Sequence, residues 1–182
     1  PKCYDIEDEL KATMNIPVFH DDQHGTAIAA LAAVIGALRL TKKKIDEVKV
    51  VISGAGAAGT AIARLLLEDD VRAENMTILN SKGILYDNGK LNRIQKALVS
   101  EVNPENKQGT FVEAVKGADI LVASSSPAAF KAEHKAAIKT MAENNVVFAM
   151  ANPIPEQKQS DARKQGVQGY DTGRKKKTQQ ET

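Results

Sequence analysis

Short apolar segments alternate with longer amphipathic segments through most of the chain. The apolar segments are rich in Val, Ile and Leu, and they predict strands at residues 48–52, 76–79, 119–123 and 146–150. Between them, apolar residues recur at helical spacing, which predicts helices at residues 57–67, 91–102, 112–115 and 131–143. This alternation is typical of an α/β fold with a doubly wound parallel sheet. We therefore expect a Rossmann-like domain with right-handed crossovers.

The segment before residue 48 has a different pattern. Apolar residues four positions apart predict a short helix at residues 5–14, and Val18 with Phe19 predicts a short strand. A long helix rich in Ala, Leu and Ile is expected at residues 25–40, ended by a lysine cluster that complements the carboxyl end of a helix. Its apolar stretch, 26–40, is shorter than the roughly 20 residues that span a bilayer. We interpret it as a buried helix and expect no membrane contact.

These patterns divide the chain into three regions. Residues 1–24 end in a polar run with two adjacent carboxylates, and residues 25–156 hold the alternating pattern. Residues 157–182 are rich in Lys, Gln, Ser, Thr and Gly, which predicts a poorly ordered tail. The small basic cluster in this tail has no interleaved aromatic residues, so we interpret it as a solvated tail and expect no nucleic-acid partner.

Composition narrows the class of protein further. Hydrophobic residues make up 42% of the chain but aromatic residues only 4%, so the core must be aliphatic, as suits a parallel sheet between helices. The net charge of +2 indicates no particular partner. The single cysteine excludes an intrachain disulfide and fits a reducing compartment, so we expect a cytoplasmic protein.

A glycine-rich loop follows the strand predicted at residues 48–52. It fits the pattern G-x-G-x-x-G and consists of Gly54, Ala55, Gly56, Ala57, Ala58 and Gly59. Gly54 would permit the tight turn, Gly56 would leave room for a pyrophosphate, and Gly59 would let the helix pack close to the strand. The motif is weak alone, but here it lies between a predicted strand and a predicted helix. We therefore expect dinucleotide binding at the helix N-terminus rather than a purely structural turn.

Polar residues stand at the ends of the later strands, where ligands of doubly wound sheets bind. In chain order these residues are Asn80, Ser81 and Lys82, then Ser124 and Ser125, then Asn152. An acidic residue usually holds the NAD ribose at the end of the second strand. Asn80 can bond a ribose hydroxyl without repelling a 2′-phosphate, and Ser81 and Lys82 could hold one. The choice between NAD and NADP therefore stays open.

Several segments together carry a family resemblance. The most specific is Ile16-Pro17-Val18-Phe19-His20-Asp21-Asp22-Gln23-His24-Gly25-Thr26-Ala27. The glycine-rich loop and residues 81–83, 116–119 and 148–156 agree in order and spacing. Together these segments resemble the bacterial malic enzymes and the related malolactic enzymes, from residue 1 to about residue 156 and more thinly to residue 174.

The resemblance implies an enzymatic activity. Malic enzymes oxidise and decarboxylate L-malate to pyruvate and CO₂ with NAD or NADP and Mg²⁺ or Mn²⁺, whereas malolactic enzymes yield L-lactate. It thus implies L-malate as substrate and pyruvate as product, a nicotinamide cofactor, a divalent metal ion and a homodimer.

The resemblance also implies roles for individual residues. Asp22 matches a metal ligand, and Asp21 matches the neighbouring acid that orients the catalytic base. The alternative is that both acids only cap the following helix. Asn152 matches an asparagine that contacts cofactor and substrate, and Ser124 and Ser125 lie where the family's chain passes the cofactor riboses.

The chain also departs from the family pattern. In the family, two further metal ligands lie just before the position of Pro1, and the catalytic tyrosine and lysine belong to an N-terminal domain. After residue 174 the sequence no longer follows the family. Two interpretations remain: the cofactor-binding portion of a malic-type enzyme, or a non-catalytic NAD(P)-binding or regulatory module.

Overall fold

A six-stranded sheet forms the centre of the molecule. The computed structural model describes residues 2–151 and 154–172. The strands are β1 (Val50–Ser53), β2 (Met76–Asn80), β3 (Gly83–Ile84), β4 (Ile120–Ala123), β5 (Val146–Ala149) and β6 (Gly169–Asp171). They lie in the order β3-β2-β1-β4-β5-β6, and all neighbours are parallel except β2 and β3, which are antiparallel. The prediction of a doubly wound, mainly parallel sheet is therefore confirmed.

Helices cover both faces of this sheet. They are α1 (Cys3–Thr13), α2 (Asp21–Thr41), α3 (Ala57–Glu68), α4 (Arg93–Val102), α5 (Phe111–Val115), α6 (Ala132–Ile138) and α7 (Gln159–Lys164). Helices α1 to α4 contribute buried side chains to the hydrophobic cluster on one face of the sheet, and α5 to α7 contribute to the cluster on the other.

Alternation along the strands explains the two clusters. Val50 and Ile52 belong to the first cluster, whereas Val51 between them belongs to the second. Successive side chains of a strand point to opposite faces, so a strand buried on both faces must be apolar at every position. Strands β4 and β5 meet this demand, because every residue of both is buried.

An ion pair lies at the amino ends of the strands. Asp119, directly before β4, accepts from the Lys43 ammonium (2.5 Å) and from the backbone N–H of Lys49 (2.8 Å). Both partners lie in the connection between α2 and β1. Asp119 therefore joins two distant segments at the edge opposite to the one where ligands of such sheets bind.

Several predictions about individual segments were wrong. Val18 and Phe19 form no strand, and the Phe19 side chain is 60% exposed. Helix α2 begins at Asp21, so it crosses the boundary expected between residues 24 and 25, and the helix predicted at 131–143 is reduced to α6. The tail expected to be poorly ordered from residue 157 contains α7 and β6, and its end lies outside the described residues.

Helix α2 is less buried than the sequence indicated. Its inner face contacts the core through small and branched residues such as Ala30 and Val34, but Ile28 is 56% and Leu40 is 84% exposed. At 21 residues it is the one helix among the described residues whose length and composition would allow a membrane span, and only 22% of its most apolar window is buried. A core helix can meet the same criterion, and the inner face of α2 packs on α3 and joins the hydrophobic cluster on that side of the sheet.

Candidate dinucleotide-binding cleft

A cleft of about 780 Å³ opens at the carboxyl ends of β1, β2 and β4. Strand β1 lies at the centre of the sheet, with β2 on one side and β4 on the other, so the strand order reverses there. Such a switch point is where doubly wound sheets bind nucleotides. Eight of the predicted cofactor residues line the cleft: Gly54, Ala55, Gly56, Asn80, Ser81, Lys82, Ser124 and Ser125.

The three loop glycines differ in what surrounds them. Gly54 has φ of +128°, and a Cβ there would lie 2.7 Å from the carbonyl oxygen of Ser124. A Cβ on Gly59 would overlap the carbonyl oxygen of Gly54. A Cβ on Gly56 would meet nothing within 4 Å. Gly54 and Gly59 are therefore required by the fold itself, whereas Gly56 leaves open space on the side of the cleft.

The amino end of α3 faces this space. Gly56 is its N-cap, so no side chain caps the first turn, which Ala57, Ala58 and Gly59 begin. Backbone N–H groups at an uncapped helix N-terminus form a binding site for a phosphate group. Ala57 and Ala58 contribute backbone N–H groups to this turn, and neither is among the residues that line the cleft.

Helix α4 supports the loop through a residue that the sequence analysis missed. The side-chain amide of Gln95 donates to the carbonyl oxygen of Ala55 at 2.8 Å. Gln95 also accepts from the backbone N–H of Asn92, and Asn92 accepts from that of Gln95. This reciprocal pair is a capping box, and the spacing Asn-x-x-Gln before an apolar run is the sequence signal that would have revealed it.

The residues after β2 form an exposed turn at the other end of the cleft. The Asn80 side-chain oxygen accepts from the backbone N–H of Lys82 at 2.8 Å, which shapes the turn. Asn80, Ser81 and Lys82 are all exposed. Their side chains offer amide, hydroxyl and ammonium groups to a ribose or a 2′-phosphate. None of them carries the negative charge of the acid that usually stands at this position.

The serines after β4 have different environments. The Ser124 hydroxyl is buried under the glycine loop and has no hydrogen-bond partner among the described residues. The backbone N–H and hydroxyl of Ser125 both donate to the Glu156 carboxylate, at 2.8 and 3.3 Å. Ser125 therefore bonds within the protein, and Ser124 is the one with unused hydrogen-bonding capacity.

The two acids implied as metal-site residues lie away from the cleft. Asp21 and Asp22 are exposed in the first turn of α2, where negative charge complements the helix dipole. The Asp21 carboxylate occupies the space that a Cβ on Gly25 would take. Among the described residues no group of three or more His, Cys, Asp or Glu is placed to hold a metal ion. The described chain thus offers at most a part of a metal site.

A buried carboxylate of α1 anchors the start of α2. Glu7 is 6% exposed, accepts from the Gln23 side-chain amide at 2.9 Å and lies 2.7 Å from the Lys11 ammonium. Its other hydrogen bond joins it to His24, 2.5 Å away. Burial raises the pKa of Glu7, but the hydrogen bonds from Lys11 and His24 outweigh it and leave the pKa below its ordinary value. The sequence analysis did not single out Glu7 and gave His24 no role.

Comparison with known proteins places this architecture in a family. The family model described as "Malic enzyme, NAD binding domain" matches residues 23–174. The chain belongs to the malic enzyme family. The resemblance seen in the sequence is thereby confirmed, and residues 23–174 correspond to the NAD-binding domain of that family.

Individual malic enzymes show how closely the family members agree. The chain is 41% identical over 177 residues to the bifunctional malic/malolactic enzyme of Bacillus subtilis, covering 96% of this chain and 42% of that protein. It is 42% identical to the NADP-dependent malic enzyme of Haemophilus influenzae, covering 86% of this chain and 20% of that protein. The solved NAD-dependent malic enzyme of Thermotoga maritima superposes with a TM-score of 0.87 at 42% identity, covering 97% of this chain and 46% of the other.

The chain therefore spans less than half the length of these malic enzymes. Asn152, the asparagine that the resemblance assigned to cofactor and substrate, lies outside the described residues.

Proposed function

We propose that this chain is the cofactor-binding portion of an NAD(P)-dependent malic enzyme, which oxidises and decarboxylates L-malate to pyruvate and CO₂. The observation that carries the proposal is the glycine loop between β1 and α3, which opens the uncapped N-terminus of α3 towards the cleft at the switch point of the sheet. Malic enzyme relatives that carry NAD or NADP in their names support both cofactors.

Different parts of the cleft bind different parts of the dinucleotide. The first turn of α3 binds the pyrophosphate, and the open space at Gly56 allows its close approach. The turn at Asn80, Ser81 and Lys82 contacts the adenosine ribose. When bound, the nicotinamide supplies the hydride acceptor that oxidation of a hydroxy acid needs.

We further propose that Asp22 contributes one carboxylate ligand to Mg²⁺ or Mn²⁺ and that Asp21 orients the catalytic base. Support comes from the family resemblance and from the exposure of both carboxylates. Hard divalent cations prefer oxygen ligands and need several of them. The described residues do not complete such a site. Turnover therefore requires groups beyond those described, and we propose a cytoplasmic homodimer as the assembly that works.

Titration of the purified chain with NAD and, separately, NADP tests the proposal, with calorimetry as the readout. Saturable binding of at least one dinucleotide is expected. A folded chain that binds neither would refute it. The preferred cofactor would then show whether the turn after β2 holds a ribose hydroxyl or a 2′-phosphate.

A second function is favoured by one relative. The Bacillus subtilis protein is named a bifunctional malic/malolactic enzyme. We propose L-lactate formation as the alternative activity, and a non-catalytic NAD(P)-binding module as the alternative to both. Assay of an active assembly for pyruvate and for lactate separates the first two. Dinucleotide binding without turnover in any complemented assembly favours the third.

A further inference from the structure

Glu156 is the most deeply buried carboxylate among the described residues. It lies in the segment between β5 and α7 and is 1% exposed. Glutamate is almost never fully buried unless its charge is compensated, since taking a carboxylate out of water is costly. The position of Glu156 therefore calls for partners.

The carboxylate joins the ends of two neighbouring strands. One oxygen accepts from the backbone N–H of Ser125 at 2.8 Å and from its hydroxyl at 3.3 Å, just after β4. The other accepts from the backbone N–H of Ala151 at 3.1 Å, just after β5. Both strands have ended there, so the sheet ladder no longer holds these segments together.

Backbone contacts extend the same connection. The N–H of Phe130 donates to the carbonyl oxygen of Glu156 at 3.3 Å, and the N–H of Ala128 donates to that of Pro155 at 3.4 Å. The segment around Glu156 is thus attached along the whole loop that follows β4. That loop lines the cleft from Ser124 to Ser126 and again from Ala129 to Lys131.

An ionised carboxylate is suited to join these segments because it only accepts hydrogen bonds and has two oxygens for the three donors. A glutamine would turn an N–H₂ group towards either Ala151 or Ser125, where an N–H already points. Burial raises the pKa of Glu156, and the hydrogen bonds from Ala151 and Ser125 offset this only in part. The hydrogen bonds from Ser125 and Ala151 therefore fix the position of this carboxyl group in place of water.

The location of the hydrogen bonds of Glu156 relates them to one half of the cofactor. A doubly wound sheet has two mononucleotide-binding halves. The glycine loop and the turn after β2 belong to the half that takes the adenosine side, whereas β4, β5 and β6 form the other half. The loops that Glu156 joins therefore border the nicotinamide side.

We propose that Glu156 is a positioning residue that holds the loop after β4 and the backbone at Ala151 in place for the nicotinamide half of the bound dinucleotide. The proposal rests on the dinucleotide binding proposed above. It does not require Glu156 to touch the cofactor, since it acts through Ser125 and the backbone of residue 151.

Glu156→Gln, titrated with whichever of NAD and NADP the parent chain binds more tightly and, separately, with adenosine monophosphate, tests the proposal. The preferred dinucleotide should bind about tenfold more weakly, the scale expected when one buried donor loses its acceptor, while adenosine monophosphate should bind within about twofold of the parent chain. A general loss of stability would not distinguish between the two ligands.

Asp119→Asn is the matched control. Asp119 also accepts two hydrogen bonds from a segment distant in sequence, the connection between α2 and β1, but at the opposite edge of the sheet. It should lower the thermal unfolding temperature and leave both affinities unchanged. Unchanged dinucleotide affinity in Glu156→Gln, or equal weakening of both ligands, overturns the positioning role.

Two further measurements keep the outcomes distinct. If Glu156→Gln does not fold, Glu156→Asp retains the charge but withdraws it by one methylene, and unchanged dinucleotide affinity there overturns the proposal equally. Amide hydrogen exchange of the parent chain needs no variant: rapid exchange at Ser125 and Ala151 would show that Glu156 does not hold these two groups.

The proposed function and the positioning role fail in different ways. A parent chain that binds no dinucleotide refutes both, whereas dinucleotide binding by the parent chain with unchanged affinity in the variant refutes the positioning role alone.

Discussion

Alanine at Gly59 and alanine at Gly56 should have opposite consequences, although both positions belong to one motif. The Cβ introduced by Gly59→Ala overlaps the Gly54 carbonyl oxygen and lies 2.9 Å from the Ser124 hydroxyl oxygen. Backbone cannot rotate away as a flexible side chain can, so α3 must move away from β1. The Cβ introduced by Gly56→Ala meets nothing within 4 Å.

The magnitudes follow from these surroundings. Overpacking a core costs about 1–3 kcal/mol, and a domain of this size loses about 2–4 °C of unfolding temperature per kcal/mol. Gly59→Ala should therefore unfold about 2–12 °C lower. The Gly56 backbone, at φ of −83°, can take an alanine without strain, so its stability cost should stay near the roughly 1 kcal/mol typical of alanine at an N-cap.

Binding should show the reverse order of effects. In the proposed binding mode, a methyl group at residue 56 would stand between the first turn of α3 and the pyrophosphate. The loss of a hydrogen bond to a charged group is worth about 1.5–3 kcal/mol, so Gly56→Ala should weaken the dinucleotide at least about tenfold.

Calorimetric unfolding and a dinucleotide titration of the two variants check both statements. Equal unfolding temperatures for Gly59→Ala and the parent would refute the packing argument. Undiminished affinity in Gly56→Ala would refute the placement of the pyrophosphate at the helix N-terminus.

Three further outcomes are expected. The pKa of Glu7 is lower in the folded chain, so its contribution to stability is complete above the ordinary glutamate value of 4.5 and is lost as the pH falls through the lower folded value. Lowering the pH should therefore reduce the unfolding free energy of the parent chain more steeply than that of Glu7→Gln. Asn80→Asp keeps the acceptor for the Lys82 N–H and adds a charge, so NADP affinity relative to NAD should fall about tenfold in a titration. Gly25→Ala should displace the Asp21 carboxylate without unfolding α2, visible as an altered Asp21 carboxyl resonance at an unchanged unfolding temperature.

Local patterns in the sequence were sufficient for the architecture and for the centre of the cleft. Strands β1, β2, β4 and β5 lie within one or two residues of the predicted segments, because runs buried on both faces must be apolar throughout. The glycine loop was recognisable because its turn, close packing and phosphate site each depend on a fixed local spacing.

Predictions of order and of strands from composition were wrong where backbone hydrogen bonding between strands decided the structure. The polar segment after residue 157 resembled a disordered tail, yet β6 pairs with β5 through backbone hydrogen bonds that need no apolar side chain. Conversely, Val18 and Phe19 have a strand-like composition, but they pair with no strand.

The sequence alone determined the doubly wound sheet and the glycine loop, because these depend on periodicity and short spacings, and its motifs carried the resemblance to the family. Only the tertiary structure decided which distant groups meet: Gln95 with the loop carbonyl of Ala55, Glu7 with His24, and Glu156 with the ends of β4 and β5. Such pairings depend on the order in which strands and helices pack, and a lone Glu carries no local sign of burial.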